Sequence, residues 1–191
     1  QNLWAVAPYG QATLEILRDT NLTLGVRYNY EHISHQGTRV ESPLGNVLVP
    51  AIPGQDSYSN LSWRASLDHQ WTPDIMTYIS ADRSFKSGGY NLAAAPGTSL
   101  PPFLPEQLTA YEAGLKSEWF DHRLRLNLAY YHYQYVNIQV QSSVPAGTLT
   151  YNGPSAHFDG VDMDFEAALF NGFKLSGGLN YVEGRYGTFP K

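Results

Sequence analysis

The 191-residue chain has no cysteine, which excludes disulfides and thiolate metal sites. It is also poor in charge. Asp, Glu, Lys and Arg together make up 15%, well under the roughly 25% of an ordinary soluble domain. The low charge is not offset by a greasy interior, since hydrophobic residues reach only 42%. No stretch approaches the ~18 consecutive apolar residues of a membrane-spanning helix. The formal net charge of −5 offers no basic face to a nucleic acid. Gln1 to Gly10 has neither the basic start nor the apolar run of a signal peptide. The last residues, Phe189-Pro190-Lys191, read as the opening of a loop, so both ends are expected to be cuts within a longer protein.

What fills the gap is tyrosine, with 14 copies, and glycine, with 17. These residues are arranged with a period of two, the signature of strands with unlike faces. Leu22, Leu24, Val26, Tyr28 and Tyr30 alternate with Thr23, Gly25, Arg27 and Asn29. Leu61, Trp63, Ala65 and Leu67 alternate with Ser62, Arg64 and Ser66. The same pattern runs through Tyr111–Trp119, Leu124–Leu128, Val161–Leu169 and Phe173–Tyr181. It is weak over Ile75–Asn91. Tyr130, Tyr131, Tyr133 and Tyr135 place aromatics on both faces, as expected for a passage through the lipid headgroup level, or for a register change at a bulge.

Connections alternate in length. Short ones carry turn residues near Leu17–Thr20, Thr72–Asp74, Phe120–His122 and Asn171–Gly172. Long ones, rich in Gly, Pro and Ser, cover Gln36–Tyr58, Leu92–Glu106 and Ser142–Ser155. Leu108–Phe120 and Arg123–Gln141 each exceed the ~9–11 residues a tilted strand needs to cross a bilayer. The chain therefore reads as all-β. About eight long antiparallel strands form part of a transmembrane β-barrel with short periplasmic turns and long extracellular loops. Lipid of the outer membrane is its expected surroundings.

Residues that could carry chemistry are few. Asp162, Asp164 and Glu166 form an acidic comb that could hold a divalent cation, but the water-facing side of a barrel strand is polar in any case. His32, His35, His69, His122, His132 and His157 show no zinc-site spacing; His35, at a loop mouth, could touch a ligand. Ser84-Phe85-Lys86-Ser87-Gly88-Gly89-Tyr90-Asn91 lacks the spacing and helix of a phosphate loop. Glu106 and Glu112 could be posed as a glycosidase pair. None of these amounts to a catalytic constellation, and no enzyme, cofactor or resident metal is predicted. The ligand-contacting residues are not assigned.

Tyr78-Ile79-Ser80-Ala81-Asp82-Arg83-Ser84-Phe85-Lys86-Ser87-Gly88-Gly89-Tyr90-Asn91 resembles a motif of TonB-dependent outer-membrane receptors. Leu104-Pro105-Glu106 with Tyr111-Glu112-Ala113-Gly114-Leu115-Lys116-Ser117 follows in the family's order, and then Asp121-His122-Arg123-Leu124-Arg125-Leu126-Asn127. Tyr9–Thr13, Leu22–Tyr28 and Gly160–Glu166 resemble flanking strands. Asp82 and Ser84 depart from the usual Ser and Gly around Arg83. The resemblance implies that residues 1–191 are part of a barrel of about 22 strands, with the plug domain and final strands outside the chain. It implies TonB-energised uptake of a scarce nutrient, most often an iron–siderophore complex, although cobalamin, haem, nickel and oligosaccharide share the architecture. Rival readings are a complete small barrel acting as anchor or adhesin, a soluble β-rich carbohydrate-binding module, and a porin-like passive channel.

Overall fold

The computed structural model describes residues 2–35, 39–41, 46–49, 54–91, 102–144 and 147–189. It is all-β and antiparallel. Strands β1 (Asn2–Val6), β2 (Tyr9–Leu17), β3 (Thr20–His35), β6 (Gly54–Thr72), β7 (Ile75–Lys86), β8 (Glu106–Trp119), β9 (Leu124–Val136), β12 (Ala156–Phe170) and β13 (Phe173–Tyr186) form one sheet. Two small hairpins stand outside it, β4 (Arg39–Glu41) with β5 (Asn46–Val49), and β10 (Gln139–Val144) with β11 (Gly147–Asn152). Both β1 and β2 pair with β3, Val6 opposite Tyr30 and Tyr9 opposite Arg27. They are one wall strand interrupted at Ala7-Pro8, where proline has no N–H for the ladder. The sheet thus has the expected eight wall strands.

The short connections fall at the predicted turns. At the third, Phe120, Asp121 and His122 all have positive φ, 57°, 53° and 61°, three successive residues in a region L side chains seldom use. One predicted strand divides. Instead of running from Arg123 to Gln141, β9 stops at Val136. Asn137 turns with φ 55° and Gln139 opens the separate β10–β11 hairpin, so the third long connection is itself partly sheet.

The two faces differ as the alternation requires. One carries Leu22, Leu67, Ile79, Ala113, Tyr130, Val161 and Tyr181 along a single rung of direct strand partners. Large apolar residues there stand in the open, Leu179 at 58% and Ile79 at 58% exposure. Few side chains are buried within the sheet, Ile33, Tyr58 and Ala156 among them. A soluble sandwich would hide its apolar face against a second layer; this sheet presents it whole.

The register also gives the strand tilt. On the apolar face each strand turns polar toward its long-loop end: at Glu183 after Tyr181 on β13, and at His32 after Tyr30 on β3. Followed along the rung, Tyr181 corresponds to Leu22. The boundary therefore climbs from Leu22 to Tyr30, roughly 26 Å at about 3.3 Å per residue, while crossing roughly 29 Å of sheet at about 4.8 Å per strand. That slope is a tilt of about 40°, inside the range for outer-membrane barrels. Aromatics mark both edges of the band. Tyr28, Tyr30, Tyr130 and Tyr181 lie toward the long loops, and Trp71, Trp119, Phe170 and Phe173 toward the short turns, all substantially exposed apart from the partly covered Tyr30.

Candidate functional site

Tyr130 belongs to that girdle, but Tyr131, Tyr133 and Tyr135 do not. The ladder through β9 runs without a register shift, so no bulge is present and the three alternate onto the polar face. Tyr131 and Tyr133 stack with ring centroids 4.6 Å apart. Tyr78 joins them from β7, and its hydroxyl donates to the Glu112 carboxylate. Lys116 Nζ sits 5.6 Å above the Tyr78 ring. These residues, with Asp162 and Asn180, line a hollow of about 480 Å³ in the polar wall. Phenols, carboxylates, amides and one ammonium make a surface that hydrogen-bonds a hydrated solute.

The acidic comb lies on this face but does not converge. Glu166 is taken by Arg125 Nη2 at 2.6 Å and Lys174 Nζ at 3.5 Å. Asp164 accepts from Asn127 Nδ2 at 2.9 Å. Asp82, one of the departures from the family motif, stands directly opposite Arg64, 3.6 Å from its Nε, so the extra carboxylate has a cation to meet it. Glu106 and Glu112 share a face of β8 but are about 20 Å apart along the strand, too far for the ~5–9.5 Å of a glycosidase pair.

The Lys-Ser-Gly-Gly-Tyr-Asn stretch roots the loops. Ser87 bonds Glu31. Gly89 and Phe103 exchange backbone bonds of 3.0 and 2.9 Å. A Cβ on Gly88 would lie 2.5 Å from the Phe103 carbonyl oxygen and 2.7 Å from the Tyr58 ring, so the glycines serve close packing and not a phosphate. Asn91 holds the β10–β11 hairpin reciprocally: its Nδ2 donates to Thr150 O at 2.6 Å and its Oδ1 accepts from Thr150 N at 2.7 Å. Asn152 accepts from Leu104 N at 2.6 Å and donates to the Leu104 and Asn137 carbonyls, each at 2.9 Å. Gln139 donates its backbone N–H to Glu106, 2.6 Å, and its side chain to Ser87 O, 2.7 Å. Two long connections are thereby tied into one body. These tethers escape sequence reading because an isolated Asn or Gln in a loop gives no sign of which backbone it will reach.

The histidines scatter. His32 Nδ1 meets Ser57 Oγ at 3.0 Å, His69 Nδ1 meets Thr20 Oγ1 at 2.7 Å, and His132 stacks on His157 at 6.0 Å. The side chain of His35 lies outside the described residues. Sequence spacing missed one grouping: Asp74, Glu118 and His122, from two neighbouring short turns, have ligand atoms within 4.8 Å of one another. His122 bonds Glu118 and lies 3.7 Å from Asp74. The Glu118 hydrogen bond, then the charges of Glu118 and Asp74, raise its pKa above the ordinary 6.5. All three are at least partly exposed, and His122 itself meets both carboxylates.

A sheet with an open apolar face, a hydrated polar face, strands at about 40°, and turns and loops sorted to opposite ends is the wall of an outer-membrane β-barrel. The chain belongs to the family described as TonB dependent receptor-like, beta-barrel, which matches residues 1–191. The family's members are outer-membrane transport receptors and not enzymes. The chain is 28% identical over 161 residues, 84% of its length, to the metal-pseudopaline receptor CntO of Pseudomonas aeruginosa, of which it covers 21%. The chain thus spans about a fifth of the length of the curated relatives it matches. In fold it resembles the ferric yersiniabactin uptake receptor FyuA from Yersinia pestis, with TM-score 0.82, 20% identity, and coverage of 97% of this chain and 27% of that one. It also resembles the siderophore receptor PiuA from Acinetobacter baumannii, with TM-score 0.73, 19% identity, and coverage of 96% and 26%. The family excludes the soluble carbohydrate-binding module.

Proposed function

We propose that the full protein is a TonB-energised receptor that takes up a metal–chelate complex, a ferric siderophore or a chemically related metallophore. Residues 1–191 supply about eight of its wall strands, and the plug and remaining strands lie outside them. The observation that carries this reading is the 28% identity to a metal-pseudopaline receptor across 84% of the chain. The polar wall supports it. Tyr78, Tyr131, Tyr133, Glu112 and Lys116 offer aromatic faces and charged hydrogen-bonding groups, suited to a hydrated chelate and not to a hydrophobe.

The test is uptake. Cells lacking the full gene should lose accumulation of radiolabelled iron or zinc supplied as the chelate, and the gene restored on a plasmid should return it only where TonB is intact. Restoration in cells without TonB, or undiminished uptake on deletion across a panel of metal chelates, would overturn the proposal. Passive entry of small solutes through the restored protein would instead favour a porin-like channel.

A further inference from the structure

The apolar face is not uniformly bulky. Ala65 and Ala81 are direct partners on β6 and β7, and Ala113 lies nearby on β8. Together they floor a hollow of about 470 Å³. Leu67 and Ile79, paired one step toward the short turns, wall one side. Tyr111, paired with Ala81, and Tyr130, paired with Ala113, wall the other. The volume is about three times the ~150 Å³ of an apolar cavity that accepts benzene. This face meets lipid hydrocarbon, so water cannot be the occupant.

Arg83 stands two residues beyond Ala81 on the same face, about 7 Å along the strand, at the level where the outward surface becomes polar. The other charged groups of that belt are matched. Arg185 Nη2 lies 2.7 Å from Glu183, and His132 Nδ1 lies 2.7 Å from Asp159. Among the described residues Arg83 donates only to the neutral side chain of Gln107, and it is exposed. A guanidinium at headgroup level without a carboxylate is suited to bidentate contact with a phosphate.

We propose that this surface binds a phosphate-bearing lipid of the outer leaflet, with one acyl chain in the Ala65–Ala81–Ala113 hollow and the phosphate on Arg83. The occupant is fixed by the combination: an apolar trough open to hydrocarbon, with a positive charge above it that meets no carboxylate among the described residues.

The experiment uses the full-length receptor purified from outer membranes in mild detergent, with lipid adducts read by native mass spectrometry. The probes are bisphosphorylated lipid A and the same lipid after dephosphorylation. The wild-type receptor should favour the phosphorylated form about tenfold, ~1.4 kcal/mol. Arg83→Gln should remove that preference without weakening the dephosphorylated form. Ala81→Trp, which fills the hollow, should weaken both about tenfold. Arg185→Gln, in the same belt but paired with Glu183, should change neither, and heat-modifiable migration on gels verifies that each variant is folded. Equal binding of the two lipids by the wild type would overturn the proposal. So would equal effects of Arg83→Gln and Arg185→Gln, undiminished binding in Ala81→Trp, or a lipid-free dimer formed through this face.

Discussion

Tyr131 lies directly opposite Gly160 on the neighbouring strand, and its ring occupies the space a side chain on Gly160 would need. The relationship recurs. Tyr78 covers Gly114 and Phe158 covers Gly184 on the polar face, and Phe165 covers Gly177 on the apolar face, each pair in direct register. A glycine in a strand contributes no side chain to packing and loosens the backbone. An aromatic laid across it restores the contact and fixes which residues face one another. In a wall without an interior core, such pairs take on part of the work of setting register.

Replacing Gly160 with valine therefore forces the Tyr131 ring off its partner. The expected loss is about 1–3 kcal/mol of barrel stability, in the range of overpacking elsewhere. Urea unfolding of the refolded full receptor in micelles measures it. The double change Gly160→Val with Tyr131→Ala should recover part of the loss, because the collision goes with the ring. Additive losses would show that the two residues do not share the space.

Tyr78→Phe tests the polar side of the same arrangement. The ring stays over Gly114, but Glu112 loses its phenol donor. A hydrogen bond to a charged group contributes about 1.5–3 kcal/mol net, and partial solvent exposure places the expected loss at the lower end. Glu112→Gln, which keeps an acceptor, should cost less than Tyr78→Phe. The reverse order in the same unfolding assay would count against this hydrogen bond.

Strand existence, wall strand number and turn positions were legible because a barrel wall repeats one simple pattern. Lipid on one side and water on the other force alternation at Leu22–Tyr30 or Phe173–Tyr181, and short turns must carry residues such as Asn171-Gly172. The tyrosine run is only partly legible, because Tyr131, Tyr133 and Tyr135 are equally at home in a headgroup belt and on a hydrated wall. Only the register through β9 separates the two. The split at Asn137 was hidden because Ile138 and Val140 continue to alternate with Gln139 and Gln141 as in a wall strand. Asn91, Gln139 and Asn152 could not be found at all, since their work depends on backbone atoms distant in sequence. The Asp82 departure has its reason in Arg64 on the neighbouring strand, a pairing that sequence order does not show.

Asn152 joins the β10–β11 hairpin to Leu104 through two hydrogen bonds and to the Asn137 turn through a third. Asn152→Ala should free the hairpin without unfolding the wall. Hydrogen–deuterium exchange on the full receptor should show hairpin amides exchanging about tenfold faster or more, equivalent to ~1.4 kcal/mol, with β8 and β9 unchanged. Asn91→Ala should do the same. Because both tethers hold one hairpin, their combined effect should fall short of the sum. Equal exchange in wild type and in both variants would mean the hairpin is held by other contacts.

His122 gives the short-turn side a pH dependence. Its pKa is raised by the Glu118 hydrogen bond first, then by the charges of Glu118 and Asp74. A histidine whose folded pKa lies above its unfolded value, about 6.5, stabilises the fold in its protonated form. That contribution is complete below ~6.5 and fades as pH rises through the higher folded pKa. The turn joining β8 and β9 should therefore be held more tightly at pH 6 than at pH 8. Side-chain NMR of histidine in the refolded receptor should give a titration midpoint for His122 above 6.5. Glu118→Gln should lower that midpoint most, because it removes the carboxylate charge and weakens the hydrogen bond, the two largest causes. Asp74→Asn should lower it less, because only a charge 3.7 Å away is lost. The turn also places three residues in the positive-φ region, so losing the ion pair should show locally, as faster motion of Phe120–Arg123, before any effect on the wall. A wild-type midpoint at or below 6.5, or an unmoved midpoint in Glu118→Gln, would refute this account of the turn.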